Sequence, residues 1–208
     1  MAIASGPWRD GAPHNGNRPG SNVRARPREE RRWQTGKGRR AAVAPEGRDL
    51  SGANLTGISL VGLDLSGAPL RGVDLTDADL SQVNLSGAVL REATLSRACL
   101  SQANLADADL RQCRMERAVL QEADLRRAKM LWIDMRLADA RLANLTEADM
   151  RGARLSNADF RRAVLSGADL GEALLWDTHL EKAILQEARL VGADMSRAHC
   201  AGAILWHA

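Results

Sequence analysis

Residues 101–110, Ser-Gln-Ala-Asn-Leu-Ala-Asp-Ala-Asp-Leu, decide the fold of this chain because they contain its five-residue unit twice. Each unit ends in Ala, then Asn or Asp, then Leu, with two variable residues before it. The Leu position recurs in the same phase from Leu50 to Leu205 without an insertion or deletion. Of its 32 occurrences, 24 are Leu and the rest are Met, Ala, Phe or Cys. Two residues earlier, 24 of the 32 positions are Ala. One strict period therefore organises most of the chain.

This period of five fits neither an amphipathic helix nor a flat strand. A helix needs apolar residues at i, i+3, i+4 and i+7, and a half-buried strand needs strict alternation. Here two inward residues flank one outward residue, which makes a very short extended segment. The Gly, Ser, Asn, Asp and Arg residues between the segments suit turns. The pattern predicts a β-solenoid, in which the chain turns every five residues and each coil pairs with the next through its backbone.

The tandem units resemble the pentapeptide repeat family, as in Ala53-Asn54-Leu55-Thr56-Gly57 and Ala168-Asp169-Leu170-Gly171-Glu172. The resemblance covers about residues 48–207. It implies an all-β fold, a right-handed quadrilateral β-helix with four repeats in each coil, and hence about eight coils. Residues 20 apart in sequence would then stack, as Ala140 would on Phe160. That pair places the largest side chain at the Leu position beside the smallest one at that position, as close packing favours.

The charge divides the chain into two parts. Residues 1–47 carry ten Lys and Arg against four Asp and Glu (+6), and residues 48–208 carry nineteen against twenty-two (−3). The first part is dense in Gly, Pro and Arg, so we predict a mostly disordered basic arm followed by the β-helix at residues 48–208. The charge of the arm leaves open a contact with nucleic acid or an acidic protein surface. We favour a solvated arm without a partner.

The cysteines and the hydropathy pattern bear on location. Cys99, Cys113 and Cys200 are an odd number without framework spacing, which predicts a reducing, cytoplasmic setting. No apolar run approaches the roughly 20 residues that a membrane helix needs. The N-terminus also lacks the pattern of a signal peptide. We expect no association with a membrane.

Catalytic constellations are not expected in this sequence. The four histidines, His14, His179, His199 and His207, show no nucleophile–base spacing. A convex rod also offers no cleft that would exclude water. We therefore predict no enzyme activity, no cofactor and no metal. The column at positions 139, 159, 179 and 199 reads Asp, Asp, His, His, but a flat row is poor geometry for a tetrahedral site, and we interpret it as polar surface.

Outward positions become apolar in the C-terminal half of the repeats. Contiguous exposed apolar residues mark interaction surfaces, whereas scattered ones are ordinary. We predict a protein interface made of Leu131, Trp132, Leu137, Leu142, Val164, Leu174, Trp176, Ile184, Ile204 and Trp206.

The function predicted from these features is a non-enzymatic scaffold that binds a protein partner. The resemblance implies an alternative, since some bacterial members of the family imitate duplex DNA, bind DNA gyrase and other type II topoisomerases, and confer resistance to quinolones or to a toxin. Duplex DNA carries about one negative charge per 1.7 Å of its axis, far more than the −3 of residues 48–208. Only a local acidic stripe would serve that role, and the candidates are Asp139, Asp149, Asp159 and Asp169.

The end of the repeats predicts self-association. The last repeat centre is Leu205, and three residues follow it. A solenoid end exposes backbone edges and core, and needs a cap. We therefore expect a homodimer through the C-terminal coil, while the identity of the protein partner stays open.

Overall fold

A computed structural model describes residues 49–208, which form a β-solenoid. In this range no residue lies in a helix or in a strand longer than one residue. The regular elements are isolated parallel bridges at every fifth residue, from Asn54 to Ile204. Residues 49–208 also contain no helix with the length and apolar character needed to cross a membrane. The predictions for the basic arm, residues 1–47, lie outside the described residues.

The register of the bridges is constant along the solenoid. Asn54 pairs with Asp74, Ser59 with Asp79, and every later bridge joins residues 20 apart. One coil therefore contains four five-residue sides, and the 160 described residues make eight coils. The expected stacking of residues 20 apart is confirmed.

Backbone hydrogen bonds hold consecutive coils together. The Leu145 amide donates to the Val164 carbonyl at 2.7 Å, and the Val164 amide donates to the Ala143 carbonyl at 2.9 Å. A further bond closes each turn, as from the Ala148 amide to the Leu145 carbonyl at 3.0 Å. The same pattern repeats at each side of each coil. The backbone is thereby satisfied between layers without extended strands.

The turns have one unusual backbone conformation. The second residue of every turn has a positive φ, at ten glycines and 22 other residues, which together account for all 32 turns from Gly52 to His207. Glycine adopts this conformation freely, whereas other residues are strained by about 1 kcal/mol each. Most of the 22 are charged or polar. The regular stacking of the coils imposes this geometry on whatever residue occupies the position.

The core consists of ladders of inward side chains. Leu and Ala from the two inward positions of each side are almost all fully buried, and so are Ala140 and its larger neighbour Phe160. Full burial of one leucine stabilises the fold by about 2 kcal/mol. Two inward polar groups are satisfied internally: Thr178 donates to the Leu155 carbonyl at 2.9 Å, and Cys113 donates to the Leu90 carbonyl at 2.8 Å.

The outward residue of each bridge defines one of four faces. Face A contains Asn54, Asp74, Thr94, Arg114, Asp134, Arg154, Leu174 and Asp194. Face B contains Ser59, Asp79, Cys99, Val119, Asp139, Asp159, His179 and His199. Face C contains Asp64, Asn84, Asn104, Asp124, Asn144, Val164, Ile184 and Ile204. Face D contains Pro69, Val89, Asp109, Lys129, Asp149, Asp169 and Arg189. Because four sides close one coil, face A lies opposite face C, and face B lies opposite face D.

Candidate interaction surfaces

The ten residues of the predicted interface fall into two groups, half a coil apart. Five lie on face A or in the turns beside it: Leu131, Trp132, Leu137, Leu174 and Trp176. The other five lie on face C or in the turns beside it: Leu142, Val164, Ile184, Ile204 and Trp206. The structure therefore brings them together as two patches on opposite faces and not as one surface.

Three apolar side chains occupy strained turn positions on consecutive corners of one coil. Trp132, Leu137 and Leu142 have φ values of 56°, 60° and 61°. They are also 60%, 45% and 50% exposed. A large side chain in this conformation is an outlier among proteins, and exposure of its apolar surface to water is a second cost. Because all 32 turns share this backbone conformation, exposed apolar surface is what distinguishes these three side chains from others at the same turn position.

Trp132 extends along the rod toward the following coils. A Cβ built on Gly152, which stacks on Trp132, would lie 2.6 Å from the indole Nε1 and closer still to Cδ1. The ring therefore occupies the space that the missing side chain leaves free. Trp132 and Leu174 line one shallow groove with Asp134 and Arg154. The patch on face A is thus an apolar groove with charged residues at its side.

Trp176 and Val191 extend the patch on face A toward the C-terminus. The guanidinium of Arg197 lies 5.1 Å from the centre of the Trp176 ring, within range of a cation–π contact. Val191 is the most exposed large apolar side chain of the described residues, and the sequence analysis missed it. Residues 131, 151, 171 and 191 stack in one column of turn positions and read Leu, Arg, Gly and Val. A second apolar residue in the column of Leu131 could have identified Val191 from the sequence.

The patch on face C is continuous but more buried. Val164 bridges to Ile184, and Ile184 bridges to Ile204. Val164 and Ile184 are half-buried, and exposure rises at the last coil. There Leu205 is 40% exposed although it occupies an inward position, and Trp206 is 71% exposed. This patch therefore merges with the exposed end of the core.

The four aspartates of the predicted acidic stripe lie on two opposite faces. Asp139 and Asp159 belong to face B, and Asp149 and Asp169 belong to face D. The structure thus brings them together as two separate pairs, half a coil apart, and does not form one stripe from all four.

Arginines also neutralise these aspartates. Arg141 donates two hydrogen bonds to Asp139, of 2.8 and 2.7 Å, and the same two-residue spacing joins Arg151 to Asp149. Side-chain hydrogen bonds from these arginines hold the pKa values of Asp139 and Asp149 below their ordinary value. These carboxylates are ionised but paired. An acidic surface comparable to DNA is not present on residues 49–208.

Face B ends in two stacked histidines. The ring centres of His179 and His199 lie 4.6 Å apart, and the ring planes differ by 18°. Nδ1 of His179 lies 3.4 Å from Oε1 of Glu181, and Nε2 of His199 lies 3.3 Å from Oδ1 of Asp177. Glu181 sits in the turn after face B and was not singled out from the sequence.

Comparisons with known proteins agree with this architecture. A family model described as pentapeptide repeats matches residues 49–87, 70–105, 103–139, 141–177, 163–200 and 177–208. A comparison with curated protein sequences gives no match.

Several solved structures are similar to the chain. HetL, a pentapeptide repeat protein involved in heterocyst differentiation regulation in the cyanobacterium Nostoc, is 34% identical over 74% of this chain and 76% of its own, with a TM-score of 0.24. QnrB1, a plasmid-mediated fluoroquinolone resistance protein, is 19% identical over 77% of this chain and 86% of its own, with a TM-score of 0.45. A pentapeptide repeat protein from the thylakoid lumen of Arabidopsis thaliana is 29% identical over 63% and 74%, with a TM-score of 0.30.

Proposed function

The chain belongs to the pentapeptide repeat family, and from that premise we propose that it is a right-handed β-helix that acts as a non-enzymatic scaffold for a protein partner. Binding takes place on the outside of the rod, through the patch on face A. That patch consists of Leu131, Trp132, Leu137, Leu174 and Trp176, with Val191 added from the structure.

The observation that carries this proposal is the placement of Trp132 and Leu137. Both side chains combine exposed apolar surface with a strained backbone, and both border face A. At the same turn position in other coils, glycine or a polar residue serves the fold at lower cost. The contact of the Trp132 ring with Gly152 accounts for the buried part of that side chain, whereas the exposed parts of Trp132 and Leu137 contribute nothing to the fold. A partner that buries the indole would repay the exposure, since aromatic residues dominate protein interfaces.

The interior of the rod supports a role without catalysis. Its inward positions are filled by side chains that are almost all fully buried. The carboxylates Asp139 and Asp149 accept hydrogen bonds from Arg141 and Arg151, so their charge is engaged at the surface. A surface with paired charges and exposed apolar side chains binds another protein by shape and apolar contact.

A pair of surface variants tests the proposal. The double variant Trp132→Ser/Leu174→Ser removes the centre of the face A patch, and Leu142→Ser removes a similarly exposed leucine at the same turn position beside face C. We expect affinity capture from the source cells to yield a protein that wild type and Leu142→Ser retain and that the double variant loses. Direct binding of that protein, purified, to the three forms would then give the affinities. If the double variant retains every protein that wild type captures, face A is not the binding surface.

DNA gyrase is the specific partner to test first. The family resemblance implies it as an alternative, and in that case the chain would act as a DNA mimic. The separation of the four aspartates onto two faces, each with arginine partners, gives this alternative less support than the scaffold. In a supercoiling assay with purified gyrase, with and without a quinolone, inhibition or protection by the wild-type chain would establish the alternative. No effect at micromolar protein would exclude it.

We also propose that the C-terminal coil joins two copies of the chain. Met195, Cys200 and Leu205 occupy inward positions, yet they are partly exposed, unlike the same positions in the central coils. A second copy packed end to end would bury them. Sedimentation of wild type as a dimer and of Leu205→Asp as a monomer would support this arrangement, and a monomeric wild type would refute it. The proposed location is the cytoplasm, in keeping with three free thiols.

A further inference from the structure

The surface chemistry of face B changes in its last two coils. In two earlier coils, an aspartate on the face accepts from an arginine in the following turn, as in Asp139–Arg141 and Asp159–Arg161. The next coil has His179 and Glu181 at these positions, so the carboxylate moves to the turn. The last coil has His199 on the face and Ala201 at the turn position of Glu181. The exchange replaces paired ions by two imidazoles and a carboxylate.

These three side chains lie close enough to share one ion. One ligand atom from each of His179, Glu181 and His199 lies within 4.8 Å of the other two. The other carboxylate oxygen of Glu181, Oε2, is buried and has no hydrogen-bond partner among the described residues. A buried carboxylate oxygen without a partner is costly. The contact with His179 engages only Oε1, so a cation beside the carboxylate would also compensate the charge on Oε2.

We propose that His179, Glu181 and His199 bind a divalent transition-metal ion such as Zn²⁺. Imidazole nitrogen and carboxylate oxygen are ligands that zinc accepts at about 2.0 to 2.1 Å. In a tetrahedral site with such bonds, two ligand atoms lie about 3.3 Å apart. Nδ1 of His179 and Oε1 of Glu181 already lie 3.4 Å apart. The ion would therefore replace a weak hydrogen bond between two atoms that already have the spacing of tetrahedral ligands.

The third ligand requires a small rotation of an exposed side chain. About half of the His199 side chain is in solvent, and a rotation that brings it to the ion would alter its stacking on His179. Metal-binding histidines usually donate their second ring N–H to a carboxylate, which orients the ring. Asp177 provides that group at 3.3 Å from Nε2 of His199. The remaining nitrogen, Nδ1, is then the ligand.

Four cations line a surface depression with Glu181, namely Arg141, Arg161, Arg162 and Lys182. Arg161 occupies the position of Glu181 one coil earlier, but its guanidinium is held by Asp159. Ala201 occupies that position one coil later and adds no charge. Two neutral imidazoles and one carboxylate leave a bound Zn²⁺ with one positive charge and one open coordination position. The site would fasten the last coil to the one before it.

Titration of the full-length chain with Zn²⁺ and with Co²⁺ tests the proposal. Any affinity tag must be removed first, and calorimetry gives the stoichiometry. We expect one ion per chain and a visible absorption band for Co²⁺ at low coordination number. His179→Ala, Glu181→Gln and His199→Ala should each weaken binding at least tenfold. Asp177→Asn should weaken it by about tenfold, the effect usual for a residue that orients a metal-binding histidine.

His207→Ala and Cys200→Ser are the matched controls. His207 is an exposed histidine in the last coil outside the cluster, and Cys200 is a partly exposed thiol next in sequence to His199. Both variants should bind as wild type does. The proposal is overturned if wild type shows no saturable binding below millimolar zinc. It is equally overturned if either control variant loses as much affinity as His199→Ala, because the ion would then lie elsewhere. Circular dichroism of each variant separates a loss of ligand from a loss of fold.

Discussion

The contact between Trp132 and Gly152 gives the sharpest test of the face A surface. Substitution of Gly152 by alanine places a Cβ 2.6 Å from the indole Nε1, well inside ordinary van der Waals contact. The indole must therefore leave its position. Gly87 provides a matched control, because its φ is also 64° and no atom of the described residues lies within 4 Å of the added Cβ.

The structure gives the size of the expected difference. Both Gly87→Ala and Gly152→Ala put a side chain at positive φ, which costs about 1 kcal/mol. Trp132 is 60% exposed, so about 40% of its surface is in contact with the protein. A tryptophan buries up to about 250 Å², so displacement exposes about 100 Å², or about 2.5 kcal/mol at about 25 cal/mol per Å². The free energy of unfolding should fall by about 1 kcal/mol in Gly87→Ala and by about 3 to 4 kcal/mol in Gly152→Ala.

Urea denaturation followed by circular dichroism measures the two losses. The indole N–H signal of Trp132, assigned in an NMR spectrum with the Trp132→Phe variant, reports the ring position. It should shift in Gly152→Ala and stay in place in Gly87→Ala. Equal losses of stability together with an unmoved Trp132 signal in Gly152→Ala would show that the ring does not lie over Gly152. The Trp132 ring would then not line the groove on face A as described.

Three further predictions concern the core, the ion pairs and the thiols. Phe160→Ala should lower the free energy of unfolding by about 3 to 5 kcal/mol, and Ala140→Leu should lower it by about 1 to 3 kcal/mol. The double variant Ala140→Leu/Phe160→Ala should lose less than the two losses combined, so additive losses in urea denaturation would argue against the stacking of these positions. Arg141→Ala should remove the hydrogen bonds that lower the pKa of Asp139. Wild type should therefore have the larger free energy of unfolding at neutral pH, and the difference should disappear as the pH falls below about 4. A difference that persists at about pH 2 would contradict the pairing. Cys113 is buried, and burial raises the pKa of its thiol to about 12, so a thiol reagent at pH 8 should modify it only after unfolding, and rapid modification in the native state would refute its inward placement.

The sequence predicted the core of this protein because its signal is repeated many times. The phase of Leu and Ala identified which residues point inward, and the register of the bridges agrees with coils of 20 residues. The burial of both Ala140 and Phe160 also follows from that register. A single physical demand, filling a narrow interior with side chains of constant size, governs all of these positions. A pattern read from one coil therefore holds for the others.

The outer surface was less predictable because each outward residue has its own surroundings. The 20-residue register is enough to divide the ten apolar residues of the predicted interface between faces A and C. The position of Trp132 over Gly152 depends on side-chain torsions, which the sequence does not contain. Glu181 lies in a turn, outside the column of His179 and His199, and only the coordinates bring the three together. Asp139 and Arg141 lie only two residues apart in sequence, but the net charge of residues 48–208 does not show that they form a pair.

The constant register has a consequence for how such a chain can change in length. An insertion or deletion of 20 residues adds or removes one whole coil and leaves each later side chain on its own face. A change of five residues also keeps Leu and Ala inward, but it turns everything that follows by a quarter of a revolution about the long axis. Trp132 and Leu174, which lie 42 positions apart, would then face different directions. The core thus tolerates steps of five, whereas a binding surface that spans several coils tolerates only steps of 20. Length variation among relatives that keep the same partner should follow the longer step.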